Sequence, residues 1–481
     1  MSLPFADESA RARTAQRAWA KLTVRERLKP VRAFRAKLVE ASDEILGAIE
    51  ADVHRPPSEV IATDVLATAA AVKFLEKKAA SLLRSRRIGG GPLWLIGVST
   101  HQVPRPHGVV GIIGTWNYPL FLNAVPILHA LVAGNAVLWK PSEQTPRMGA
   151  VLHRWLVECG FPADLMQALP ATRDAGPALV EADIDFLQFT GSDAVGRKLA
   201  ARLGERLIPS VLELSGVDAA LVLADADVGL AARTVWYGAT LNGGQTCIAT
   251  RRAFVDRSVY PAFAQKMTAL VEATEPVALQ TNGQLDQMAR LVADAQAHGG
   301  TAVVGSSIAT TGRCQPTVIL NGSTDMAVCR EACFAPIIAV IPCDSFDAMV
   351  ERANACGFGL AASVYSAATR SIPQLAVGSV VFNDTVVPTA HPATPFGGRG
   401  ASGWGSTQGA EGLLAMTYPQ VISRRRGKYR PHVDAGLAHD PALGDTMTGL
   451  LKLSHGRGLR QCWRGLMQMI RGYRRLGKRI E

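Results

Sequence analysis

The sequence of 481 residues is marked first by what it lacks. Its eight cysteines, at 159, 247, 314, 329, 333, 343, 356 and 462, show no paired metal-site spacing, so no metal centre is expected. They do not form a disulfide framework either, and no basic, apolar and small-residue leader opens the chain; free thiols in a reducing cytoplasm are therefore predicted. No repeat of solenoid period recurs. The net charge of +11 suggests nucleic acid until it is located. Residues 421–481 hold 14 Lys and Arg against four acidic residues, whereas residues 1–420 hold 37 basic and 36 acidic groups. A neutral body offers no basic groove, which excludes nucleic acid as the expected partner.

What the chain does have is 48% hydrophobic side chains and 45 glycines, enough for a large core in two compact units. Residues 9–85 carry apolar positions at spacings of three and four and predict a helical packing layer, clearest in "AWAKLTVRERLKPVRAFRAKLVEASDEILGAIEAD". After "GGGP" comes "LWLIGVSTHQVPRPHG", which predicts an extended hairpin or arm. As far as about residue 225, short apolar runs ("GVVGIIGT", "NAVLWKP", "DLMQALPA", "DFLQFTG", "AALVLADADV") alternate with helical segments. A second alternating region follows, with "ATRRAFV", "TAVVG", "PTVIL", "PIIAVIPC", "SVYS" and "GSVVFND". Both regions predict mostly parallel sheets covered by helices.

Cys247 sits in "NGGQTCIAT", residues 242–250. A thiolate attacks carbonyl carbon well, but with an ordinary pKa of about 8.5 little of it is ionised at neutral pH, so a nucleophilic cysteine needs help nearby. The flanking glycines permit close backbone approach to a substrate, and the amide of Cys247 can face a developing oxyanion. Taken alone, such a cysteine is most often a small buried hydrophobe.

In the same order along the chain stand "PRPHGVVGIIGTWNYP", "AGNAVLWKPSEQTP", "FTGSDAVG", "LELSGVDAALVLADADV", the cysteine motif, "CFAP" and "PFGGRGASGWG". Over roughly residues 10–425 this set resembles the aldehyde dehydrogenase superfamily. The "NYP", the "NGGQTCIA", the short lead and the C-terminal extension are most like its class 3 and coniferyl-aldehyde branch. The resemblance implies an α/β fold with two parallel-sheet domains and a β oligomerisation arm. Residues 1–90 and 108–214 would bind cofactor, 92–107 and 410–425 would form the arm, 215–409 would be the catalytic domain, and 426–481 a basic tail.

By the same resemblance Cys247 would attack an aldehyde, the Asn117 side chain and the Cys247 amide would hold the oxyanion, and Glu213 would activate water to hydrolyse the thioester. The stretch 108–225 carries no GxGxxG, and the pyrophosphate is expected at the helix start after "FTGS", at Gly191, Ser192, Val195 and Gly196. Lys140 and Glu143 match the adenosine-ribose positions, which leans towards NAD with NADP as the alternative. Thr115, Trp116, Leu214 and Phe334 complete the expected cofactor contacts. Ala332 stands where a ribose-binding glutamate is usual, with Glu331 one position early as its candidate replacement. Ser215 and Asp218 also depart from the family pattern.

The reading is NAD(P)-dependent oxidation of an aldehyde to the acid. No arginine follows "NGGQTC" before Thr250, and Tyr118, Trp236, Ile248 and Phe396 are candidates for an apolar tunnel, so an aromatic, terpenoid or long-chain aldehyde is expected. Transfer to coenzyme A is the alternative, against which Glu213 argues; a non-catalytic membrane-associated protein is the other. Residues 457–480 place Leu459, Trp463, Leu466, Met467, Ile470 and Tyr473 at helical spacing among arginines, which is read either as peripheral contact with the cytoplasmic membrane face or as a tail packed on a partner subunit or disordered. A homodimer is expected.

Overall fold

The computed structural model describes residues 3–92, 95, 97–303, 313–368, 374–426 and 439–480. The chain divides into two compact units, Met1–Leu83 with Arg105–Tyr418, and Arg84–Pro104 with Pro419–Glu481.

The first unit begins with the helical layer that the apolar spacing predicts. Helix Val24–Glu40 is started by a reciprocal cap between Thr23 and Glu26 and buries Leu28, Val31, Phe34 and Leu38, one stripe at spacings of three and four. The layer is interrupted after Val53, where His54 takes a left-handed conformation, and resumes through a π-helical turn, Ile61–Leu66, into helix Ala67–Leu82.

Two sheets follow. The six-stranded sheet has the order Gly403–Trp404, Ser210–Leu214, Phe186–Gly191, Val109–Ile113, Ala136–Lys140, Met166–Ala168, parallel except for the first pair. "VVGII" and "AVLWK" are buried at every position, which is why their runs are continuously apolar rather than alternating. Successive strands run outward in both directions from Val109–Ile113, so the order reverses beside Phe186–Gly191. Ligands bind at such a reversal, beyond the carboxyl ends of the strands. The pairings Ile113 with Lys140 and Gly191 with Leu214 bring those carboxyl ends level.

The seven-stranded sheet has the order Thr301–Val303, Thr317–Leu320, Ile337–Cys343, Thr250–Asp256, Asp218–Val222, Ala361–Tyr365, Ser379–Phe382. Only its first pair is antiparallel. The two sheets are joined by the short link from Leu214 to Asp218. That link carries the chain from Glu213 in one sheet to a strand that neighbours the one following Cys247.

The second unit is small. Arg86–Ile88, Val98–Pro106 and Thr417–Arg425 form one three-stranded sheet. Of the segment expected as an arm, residues 410–415 are instead helical, within Gly409–Ala415, and the strand starts only at Thr417. Two helices, Pro441–His455 and Leu459–Ile480, complete the unit; residues 427–438 of the expected tail lie outside the described residues.

Candidate active site

The backbone of "NGGQTC" is made for close approach. Asn242, Gly243 and Gly244 are left-handed in succession, with φ of 54°, 63° and 74°, a conformation open to glycine and tolerated by asparagine. A Cβ on Gly244 would lie 2.5 Å from the Ala335 carbonyl carbon, so this glycine lets the loop rest on the segment before strand Ile337–Cys343. The fully buried guanidinium of Arg251 fixes that contact. It donates to the carbonyls of Gly244, Cys333 (2.8 Å), Ala335 (2.5 Å) and Ile337 (3.3 Å), using the planar fork that lysine lacks.

The loop after strand Val109–Ile113 is tied to the cysteine loop. The Asn117 side-chain amide donates to the Gln245 carbonyl (3.0 Å) and its oxygen accepts from Thr115 Oγ1 (3.0 Å). The Asn242 amide donates to the Asn117 carbonyl (3.0 Å), and Tyr118 Oη lies 2.6 Å from Thr246 Oγ1. Beneath them Arg55 pairs with buried Asp64 at 2.5 Å, donates to the Asn117 carbonyl and stacks 4.6 Å over the Tyr118 ring. Asp64 Oδ1 accepts the amides of Leu120 and Phe121, which sets the start of helix Phe121–Ala133.

Cys247 and Glu213 meet inside. No N–H or O–H donor reaches either Glu213 oxygen among the described residues; the Cys247 thiol is the neighbour that favours its ionised form. Burial outweighs that help and pushes the carboxyl up to about 7. The Cys247 thiol is pushed well above the ordinary thiol range by burial, then by the charges of Glu213 and Asp218, with the Ile248 amide as a partial offset. Asp218 is likewise pushed well up by burial. In the free protein at neutral pH the thiol therefore keeps its proton, while Glu213 is poised to take or release one. The Cys247 backbone N–H donates to no described residue and remains available.

Two cavities meet at this cysteine. The larger, about 650 Å³, lies along the carboxyl ends of the six-stranded sheet. Asn117, Glu213 and Cys247 line it together with Thr115, Trp116, Lys140 and Glu143. Gly191, Ser192, Val195 and Phe334 line it too, the last with its ring 5.9 Å from that of Trp116. Ser192 caps helix Asp193–Glu205. Three residues expected at this site do not line it. Gly196 and Leu214 pack the helix onto its strand instead, a Cβ at Gly196 lying 2.5 Å from Leu214 Cδ2. Glu331 is exposed and ion-paired with Arg290, so its carboxylate is spent elsewhere and the Ala332 methyl faces the cavity.

Several lining residues gave no signal in the sequence. Arg173 approaches Glu143 at 3.4 Å, and Lys140 pairs with it at 2.7 Å. Burial opposes the Glu143 charge, but these cations hold its carboxyl below the ordinary range. Gln284 and Gln287 of helix Asn282–Ala297 also enter; Gln284 donates to the Phe334 carbonyl (2.8 Å) and Gln287 to that of Ala332 (3.0 Å).

The smaller cavity, about 160 Å³, shares Cys247 and Leu122 with the larger. Tyr118, Phe121, Tyr237, Ile248, Val387 and Phe396 are among its walls, and no charged side chain among the described residues lines it. Trp236, expected here, is instead part of the core beneath the seven-stranded sheet, its Nε1 on Thr274.

Comparison with known proteins agrees with this geometry. Residues 6–422 match the family described as "Aldehyde dehydrogenase family". A 4,4'-diapolycopene aldehyde oxidase of Methylomonas sp is 32% identical over 421 residues, covering 85% of this chain and 79% of that protein. A putative succinate-semialdehyde dehydrogenase (NADP(+)) of Mycolicibacterium smegmatis is 33% identical over 441 residues, covering 87% and 84%. Among solved structures, Mycobacterium tuberculosis aldehyde dehydrogenase complexed with NAD+ superposes with a TM-score of 0.81 at 28% identity, covering 88% of this chain and 90% of that one. A P. syringae indole-3-acetaldehyde dehydrogenase mutant in complex with NAD+ and IAA gives 0.82 at 26% identity, covering 87% and 88%.

The buried carboxyl makes a stability prediction. A group whose folded value is raised from 4.5 to about 7 favours the folded chain while it is neutral, and that advantage is lost as pH rises through this window. Glu213→Gln keeps the shape and cannot ionise. It is expected to leave the unfolding midpoint nearly unchanged at about pH 4.5 and to stabilise the chain at about pH 8 by on the order of 3 kcal/mol. Calorimetry at both pH values checks this; a variant no more stable than the parent at the higher pH would contradict a buried charge at this position.

Proposed function

The chain belongs to the aldehyde dehydrogenase family, and from that premise we propose that it oxidises an apolar aldehyde to the carboxylic acid, with NAD as cofactor and NADP as an accepted alternative. The observation that carries the reading is the position of Cys247, shared by a cavity at the strand carboxyl ends and a second cavity without charged walls.

The residues present fit a dinucleotide at the strand ends. The capped start of helix Asp193–Glu205 offers backbone amides for a pyrophosphate, Gly196 keeps that helix close to the strand, and Lys140 and Glu143 are suited to ribose hydroxyls. Because Lys140 and Arg173 both neutralise Glu143, repulsion of a 2′-phosphate is reduced, which supports tolerance of NADP. Relatives described with NAD+ and with NADP(+) agree with this range. When bound, the cofactor supplies the acceptor for the aldehyde hydride.

The protein's own residues do the rest. Glu213, directly or through water, takes the thiol proton, and Cys247 Sγ forms a bond to the aldehyde carbon. The oxyanion is held by the free Cys247 N–H and the second N–H of the Asn117 amide, whose first is fixed on Gln245. After hydride loss a thioester remains on Cys247; Glu213, having passed the thiol proton to solvent, deprotonates the water that cleaves the thioester and returns that proton to the leaving sulfur, releasing acid and thiol. The uncharged walls favour an aromatic, terpenoid or long-chain aldehyde over one bearing a carboxylate. In motif detail the chain is closest to the class 3 and coniferyl-aldehyde branch. The reading includes a homodimer formed through the sheet of Val98–Pro106 and Thr417–Arg425, and work at the cytoplasmic membrane face with peripheral contact through the basic C-terminal helix.

Four outcomes are expected. Cys247→Ala removes NADH formation while leaving NAD binding measurable by calorimetry, and Glu213→Gln slows turnover by on the order of 10²- to 10⁴-fold with an acyl-enzyme visible by mass spectrometry; activity of the alanine variant within tenfold of the parent would sink the assignment. In an NADH-release panel, aromatic and long-chain aldehydes outrun succinate semialdehyde without coenzyme A; strict dependence on coenzyme A would transfer the enzyme to the acylating class. Light scattering gives a dimer mass, and a monomer or tetramer would refute that part.

A further inference from the structure

The two C-terminal helices pack through glycine. A Cβ on Gly449 would lie 2.2 Å from the Met469 amide nitrogen, one on Gly465 2.5 Å from that of Leu453, and one on Gly472 2.4 Å from Thr446 Oγ1. Backbones in such contact form a hairpin, Pro441–His455 against Leu459–Ile480, that spends few long apolar side chains on its own seam. Positions 462, 465, 469, 472 and 476 make that seam on the second helix. A separate apolar stripe at 459, 463, 466, 470 and 473 runs about 100° around it.

Three of its residues face outward, with Leu459 90% exposed, Trp463 64% and Tyr473 61%, while Leu466 and Ile470 are half-buried; on the first helix Leu451 is 59% exposed. Beyond it lies a charged face. Residues 459–480 contain seven Lys and Arg and no acidic residue. Trp463, Arg464, Met467, Arg471 and Arg475 border an open cavity of about 520 Å³, whose one acidic neighbour, Asp445, is engaged by Arg475 at 3.6 Å and by Gln468 at 3.1 Å.

From this arrangement we infer that the hairpin is a lipid-docking element that lies in the surface of an anionic phospholipid leaflet. The arginines of the open cavity receive headgroup phosphates, and Leu459, Trp463 and Tyr473 enter the acyl boundary. The charge selects the occupant: a helix whose sequence carries seven cations and no acidic residue attracts an anionic leaflet, and an adjacent apolar stripe gains only where hydrocarbon is within reach. The hairpin lies on the bilayer and does not cross it, since no helix among the described residues is long and apolar enough to span one. This rests on the membrane contact proposed above and goes beyond it by naming the leaflet chemistry, the inserting residues and the glycine seam that leaves them free.

The test is sedimentation of the full chain with vesicles of phosphatidylcholine alone and with added phosphatidylglycerol, at about 0.1 M salt. The parent is expected to sediment with the anionic vesicles only. The double variants Leu459→Glu/Trp463→Glu and Arg464→Glu/Arg471→Glu should each weaken this by tenfold or more, with oxidation of soluble benzaldehyde unchanged. If the parent binds anionic vesicles and both variants bind equally well, membrane contact stands and the hairpin face is refuted. A parent that ignores all vesicles overturns both. Equal binding to neutral vesicles removes the role of the arginines. Release by inorganic phosphate at constant ionic strength reassigns them to a soluble ligand, and self-association abolished by the Trp463 variant makes a second copy the occupant; either overturns the leaflet.

Discussion

The site depends on one buried cation. Arg251 gathers the carbonyls of Gly244, Cys333, Ala335 and Ile337, and so joins the left-handed turn before Cys247 to the segment carrying Ala332 and Phe334. A buried guanidinium is tolerable only when its donors are satisfied. Each of those carbonyls is therefore held by the need to keep the charge paired as well as by its own backbone. The cysteine loop and one wall of the larger cavity then keep a fixed separation, which a hydride transfer between two bound molecules demands. Arg55 and Asp64 perform the matching task on the opposite side, where they hold Asn117 and the start of helix Phe121–Ala133.

Around this frame the protein retains groups that destabilise it. Glu213 is buried without an N–H or O–H donor, and Cys247 lies beside it; the carboxylate raises the cost of ionising the thiol, while the thiol offsets only part of the cost of burying the carboxylate. A carboxyl near neutrality can act as base and then as acid within one turnover, which a carboxylate saturated with donors cannot do. The fold bears that cost because the surrounding strands are buried at every position except Ser210 and supply the apolar stabilisation.

Charge is distributed with the same economy. The neutral first 420 residues hold two cavities of different character, one polar at the strand ends and one uncharged, which meet at a single sulfur. The net positive charge is concentrated in the last 61 residues, where eight of the 14 cations belong to two helices whose close approach needs glycine more than leucine. Leu451, Leu459, Trp463 and Tyr473 of that hairpin are exposed because its seam does not use them.

The sequence by itself determined what is local or periodic. Continuous apolar runs marked the buried parallel strands. The glycines of "NGGQTC" marked a place of close backbone approach, because they carry no side chain. The family pattern, spread over most of the chain, identified Cys247, Glu213 and Asn117, which the fold brings to one cavity. Only the tertiary structure decided what depends on partners distant in the chain. Glu331 is drawn away by Arg290, 41 residues earlier, and Asn117 is steadied by Gln245, 128 residues later. Trp236 belongs to a core, and Arg55, Asp64, Arg173 and Arg251 had no sequence signal at all. A side chain's role there is set by which donors and acceptors burial leaves within reach, and reach is a property of the folded chain.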